Sequence, residues 1–163
     1  MLTGQFFRFY GWLPKPIRVR LVRFLKPSYT VGSIPFITRS DGRILLVRHS
    51  YKQGWATPGG FVNRGEAAAV GAVREAWEEV GLRVEVTSEP TVVIDPVGQR
   101  VEVVFRGRPA AGADPDAAAP RSQEIIEVGW FEPDALPPLQ DETREGYAAL
   151  LAGEAGPDAT GRP

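Results

Sequence analysis

The chain has 163 residues, 43% of them hydrophobic and 10% aromatic, which is enough for one domain with a buried core and unlike a disordered or collagenous composition. It contains no cysteine, and that excludes a disulfide framework, a thiolate zinc centre and a cysteine nucleophile. Net charge is -1, yet residues 1–27 hold six basic residues and no acid, so a +6 arm precedes a body of -7.

Within the arm, Pro16 suits a first helical position and Lys26-Pro27 closes the segment, which predicts a short helix. On it Ile17, Leu21, Phe24 and Leu25 share one face while Arg18, Arg20 and Arg23 point elsewhere. Such an amphipathic arm is expected to pack on the domain or on a second copy in a homodimer. A weak contact with an anionic membrane is the next alternative, followed by nucleic acid. Arg8, Gly11, Pro14 and Pro16 interrupt the first apolar cluster, and no run of 18 apolar residues exists. Neither a membrane span nor an ordinary signal peptide is expected, and the expected location is cytoplasmic.

Beyond Pro27 strand-like runs appear: YTVGSIPFI (29–37), RILLVRH (43–49), VEVVFRG (101–107) and EIIEVGWF (124–131). Asp41-Gly42 predicts a hairpin between the first two, and TVVIDPVGQR (91–100) reads as another strand and its turn, which gives VEVVF an antiparallel neighbour. RPAAGADPDAAAP (108–120) reads as a mobile low-complexity loop. A last helix is expected over 141–152, with residues 153–163 a disordered tail. The architecture predicted is α/β or α+β, a mixed sheet between helical layers. The expected boundaries are 1–27 for the arm, 28–152 for the domain and 153–163 for the tail.

The helix over 67–80 carries the chemistry. Steps of 100° place Glu75, Glu78 and Glu79 on one narrow face, with Val70, Val73, Ala76, Trp77 and Val80 on the opposite, core-facing side. Like charges at these spacings repel, and they lie near a helix C-terminus, where the macrodipole disfavours anions. Gly71 within the helix and Ala67 at its N-cap weaken it further. Three carboxylates held together at that cost suit a hard divalent cation, and Mg2+ prefers such oxygen ligands. A solvated acidic face is the plainer alternative.

The surrounding residues favour the cation. Gly60, Glu66, Arg74, Glu75, Ala76, Glu78, Glu79, Gly81 and Leu82 fit the spacing G-x5-E-x7-R-E-U-x-E-E-x-G-U. This pattern resembles the Nudix box of the Nudix hydrolases, and the likeness extends over about residues 29–151. Two positions depart from it: the aliphatic site is a small Ala76, and Ala67 stands where Ser or Thr is usual. The resemblance implies a Nudix-like α/β/α sandwich and Mg2+-dependent hydrolysis of a phosphoanhydride in a nucleoside diphosphate linked to another group, with Mn2+ as a substitute ion. It implies Glu78 and Glu79 as principal metal ligands, assisted by Glu75 and the carbonyl of Gly60. It also implies a Glu66–Arg74 ion pair tying loop to helix.

Outside the box, Glu124 is the expected further acid, as general base or metal ligand. Strand alternation sets Glu124, Ile126 and Val128 on one face and Ile125, Glu127 and Gly129 on the other, so Glu127 is the alternative. Arg48, Tyr51, Lys52 and Trp55 stand just before the box as substrate-binding candidates, cations toward phosphate and rings toward a base or sugar. Trp55 reads equally well as core, and Trp130 and Phe131 as packing residues. His49, the single histidine, reads as a hydrogen-bonded structural residue ahead of a phosphate or proton-transfer role. The substrate expected is a small nucleotide; the acidic body argues against a large RNA. The rival functions are a nucleotide-binding module without turnover, and a hydrolase brought to membrane or RNA by the arm.

Overall fold

The computed structural model describes Trp12 and residues 14–26 and 28–154. Helix α1 spans Lys15–Leu25, with Trp12, Ile17 and Val19 exposed. The aromatic run before Trp12, the side chains of residues 21–25 and the tail from residue 155 lie outside what is described. No described helix is long and apolar enough to cross a membrane.

The strands are β1 (Thr30–Ile37), β2 (Ile44–His49), β3 (Trp55–Ala56), β4 (Gly60–Phe61), β5 (Val84–Val86), β6 (Thr91–Asp95), β7 (Arg100–Pro109) and β8 (Ile125–Phe131). Helix α2 spans Ala68–Val80 and α3 spans Asp141–Glu154. A mixed five-stranded sheet runs β4-β1-β7-β5, with β6 also on β7, and a three-stranded antiparallel sheet runs β3-β2-β8. The fold is α+β with a mixed sheet, divided in two.

Runs of apolar residues without alternation make strands that are buried on both faces. In β2, Leu45 and Val47 join Ile37, Ala76 and Val80 in the core beneath α2, while Ile44 and Leu46 join Ile34, Phe36 and Leu150 beneath α3. Tyr147 of α3 stacks on Phe36 with ring centroids 5.3 Å apart. Wholly buried Ser33 donates from Oγ to the Ala68 carbonyl at 2.7 Å, fixing the start of α2 on β1. Ser33→Ala is expected to cost about 1 kcal/mol, seen as a lower urea midpoint at unchanged slope.

Three expectations need correction. Asp41-Gly42 does turn the chain, with Arg39 and Arg43 bonded at 3.0 Å, but the hairpin ends at a single Thr38–Ile44 bridge. Both edges of β1 are already taken, by β4 and by a parallel eight-residue pairing with β7, so β2 enters the other sheet. The buried side of α2 is Gly71, Ala72, Ala76, Glu79 and Val80; Val70 and Trp77 are exposed. Small side chains at 71, 72 and 76 let the helix lie close to the sheet, and the guanidinium of Arg121 covers the Trp77 ring at 4.3 Å.

The loop over 108–120 is tied down rather than loose. Ala119 N–H donates to Val80 O, Trp130 Nε1 donates to Pro115 O at 3.1 Å, and Ala113 and Ala118 pack on the core under α2. Trp130 is thus a packing residue, as is Phe131, whose ring meets Trp55 edge-on at 4.7 Å.

Candidate active site

Loop, helix and sheet meet at a cleft of about 450 Å³ lined by Gly60, Glu75, Glu79, Tyr51, Lys52 and Glu124 among others. Its wall is α2, which begins at Ala67 with no side-chain cap and ends at Gly81 in the left-handed conformation (φ 69°). That helix gives up capping and charge balance where it carries the acids, and the surrounding contacts supply what it lacks.

Arg74 is the centre of those contacts. Its Nε donates to Glu66 Oε1 at 2.8 Å and its Nη2 to Glu66 Oε2 at 3.0 Å, a bidentate pair. Nη2 also reaches the Phe61 carbonyl at 3.0 Å, while Nη1 reaches Glu75 at 2.7 Å and Glu78 at 3.1 Å. Hydrogen bonds from Arg74, then from the Asn63 N–H, hold Glu66 well below the usual carboxylate range, at about 2. The loop before α2 is therefore fastened to it at one guanidinium.

Glu79 is different. It is 8% exposed and accepts a backbone N–H from Gly59 at 3.2 Å. Burial, followed by the charges of Glu75, Glu124 and Glu78, pushes it up to about 8, against the pull of the Gly59 N–H. A Cβ on Gly60 would sit 2.6 Å from the Glu75 carboxyl, so that carboxyl lies directly over the loop backbone.

These oxygen donors fit a hard divalent cation. Glu79 is costly to ionise where it lies, Glu75 sits in the space a Cβ at 60 would fill, and Glu124 faces the same cleft. Among the described residues no three acids or histidines converge as a finished metal cage. The reason is visible in the contacts: Arg74 draws Glu75 and Glu78 to itself, and Glu78 is 56% exposed.

Glu124 precedes β8, and the Tyr51 hydroxyl donates to its Oε2 at 3.4 Å. Glu127 points out of the cleft and pairs with Arg48, whose Nε lies 2.8 Å away. Arg48 does not line the cleft, and neither does Trp55, which packs against Phe131 beside the core under α3. The alternation expected for β8 fails at a bulge: His49 faces Ile125 and Arg48 faces Glu127, so Ile125 and Val128 both enter the core and Ile126 is exposed.

Tyr51 and Lys52 do reach the cleft, with Lys52 Nζ 3.1 Å from Glu142. His49 lies 5.3 Å from Tyr51, ring to ring, and its Nδ1 is 3.3 Å from Gln140 Nε2. Burial, then Lys52, lowers its pKa and so favours the uncharged ring. Arg100, Glu102 and Glu142 also line the cleft, and sequence reasoning missed them. Charges at alternate positions of the otherwise apolar strand RVEVVF were the signal that could have found the first two.

A family model described as NUDIX domain matches residues 28–152. The chain is 34% identical over 125 residues to a MutT-like protein of Streptomyces ambofaciens, covering 77% of this chain and 76% of that one. A crystal structure of a NUDIX hydrolase from Nitrosomonas europaea superposes with a TM-score of 0.68 at 23% identity, over 80% of this chain and 75% of the other, a likeness of fold. The crystal structure of an ADP-ribose pyrophosphatase from Streptococcus suis gives 0.62 at 26% identity, over 84% and 97%.

Proposed function

The chain belongs to the NUDIX family, and from that membership we propose that it is a Mg2+-dependent pyrophosphohydrolase of small nucleotides, cleaving a phosphoanhydride between a nucleoside diphosphate and its attached group. The observation that carries this reading is the buried Glu79 carboxylate opening onto the same cleft as Glu75 and Glu124. Glu75, Glu78, Glu79 and the Gly60 carbonyl are the groups that would hold the ion. Once bound, it would offset the negative charge of the diphosphate and make a nearby water more acidic.

The remaining steps belong to side chains. The Tyr51 hydroxyl occupies Glu124 Oε2, which leaves Oε1 to accept a proton from the attacking water. Arg74 fixes the loop carrying Gly60 to α2 through Glu66 and the Phe61 carbonyl, so the acids keep their register. Lys52 stands at the cleft, paired with Glu142.

Purified protein incubated with Mg2+ and a nucleotide panel should release products that phosphatase coupling detects. Glu124→Gln is expected to lower kcat by about 100-fold. A wild-type rate no higher than that of this variant on every nucleotide would overturn the proposal.

A further inference from the structure

The cleft has a second end that no step above uses. Arg100 and Glu102 alternate on β7 and so share a face. Gly32 lies opposite Glu102 in the parallel pairing with β1, and the Glu102 carboxyl fills the space where a side chain at 32 would be. The missing side chain lets Glu102 lie across β1 into the cleft, with only 13% of its own side chain exposed.

Arg100 is gripped on three sides. Its Nε is 2.9 Å from Glu102, its Nη1 is 2.9 Å from Glu142 and its Nη2 is 3.8 Å from Asp95. Glu142, in the first turn of α3, also takes Lys52 at 3.1 Å. Glu142 thus pairs with both cations, while Arg100 Nε lies close to Glu102 without a hydrogen bond to it. A phosphate entering this end would have to displace Glu142 from both cations and would then lie against Glu142 and Glu102. A hydroxyl-bearing group faces no such charge: the carboxylate oxygens accept from it and the guanidinium and ammonium donate to it.

Away from the acids that would hold the ion, this end of the cleft is lined by Glu102 and Glu142 together with Lys52 and Arg100. A diphosphate esterified at both ends carries one charge per phosphoryl group. A triphosphate adds a further phosphoryl group that is nearly doubly ionised.

We propose that Arg100, Glu102, Glu142 and Lys52 form a subsite for a neutral, hydroxyl-rich cap, so that the preferred substrate is a diphosphate diester carrying a sugar at this end rather than a nucleoside triphosphate. This rests on the hydrolase reading above and narrows it.

Steady-state kinetics on ADP-ribose and ATP with Mg2+, for wild type, Glu102→Gln and Arg100→Lys, test it. Wild type should favour ADP-ribose by at least about tenfold in kcat/KM. Each variant should raise KM for ADP-ribose by about tenfold with kcat within about twofold, moving the preference toward parity. Thermal melts identify a variant that has merely lost its fold, in which case the other variant decides. A wild-type preference for ATP, or equal losses on both substrates, would overturn the subsite. Should neither compound be hydrolysed, the hydrolase reading falls separately, and calorimetry with the same two nucleotides then decides: tighter binding of ADP-ribose supports the subsite, and tighter binding of ATP removes it.

Discussion

Glu79→Gln is expected to lower kcat by at least about 100-fold while leaving the ion-free protein as stable as wild type or more so. The two effects have one cause. Glu79 is buried beside Glu75 and Glu124, and ionising it there is unfavourable without a cation to offset the charge. Glutamine keeps the shape and the Gly59 contact and removes the charge. Activity assays in Mg2+ beside thermal melts in EDTA check both, and a variant that was both active and unstable would contradict this account.

The pH dependence has a definite sign. The Glu79 carboxyl is raised in the folded chain from 4.5 to about 8, so the folded state binds more protons than the unfolded one between those values. Ion-free stability is therefore fully present below about pH 4.5 and is lost as pH rises through about 8, at a slope of at most about 1.4 kcal/mol per pH unit. Mg2+ should cancel that decline, because it selects the ionised form, and Glu79→Gln should abolish it. Melts from pH 5 to 9 with and without Mg2+ measure this.

Arg74→Ala is the second large effect. It removes partners from Glu66, Glu75, Glu78 and the Phe61 carbonyl together. Since Arg74 is a quarter exposed, a loss of about 1–3 kcal/mol is expected, with kcat reduced by more than about tenfold as the loop drifts from α2. Arg74→Lys should recover little of the activity, because an ammonium cannot reproduce the bidentate pair with Glu66. Recovery by lysine to near wild-type rates would show that charge alone suffices.

What could be read beforehand depended on how local the cause was. The acids at 75, 78 and 79 share a helix, and their spacing alone set Glu75 and Glu79 on the cleft. Periodicity could not say which adjoining residues would be buried, because closeness to the sheet was set by Gly71, Ala72 and Ala76 and by Arg121 covering Trp77. Glu124 reached the cleft and Glu127 did not, but the bulge that exposes Ile126 follows from pairing with β2 rather than from β8 itself. Arg48 pairs with Glu127, a partner 79 residues away, and does not line the cleft. For Arg100 and Glu102 the one local signal was charge at alternate positions of an apolar strand, and for Glu142 nothing within a few residues marks the cleft it lines.

The parallel pairing of β1 with β7, Thr30 against Arg100 and onward to Ile37 against Gly107, also governs the order of assembly. Such a pairing closes a long stretch of chain before any contact rewards it, and that entropy makes the step slow. Gly32 meets Glu102, and Gly60 on β4 takes its place beside β1, within that same sheet. A nascent chain released before residue 109 has emerged can form α2 with its acids but has no floor beneath them, so catalytic competence should arrive in one late step during synthesis.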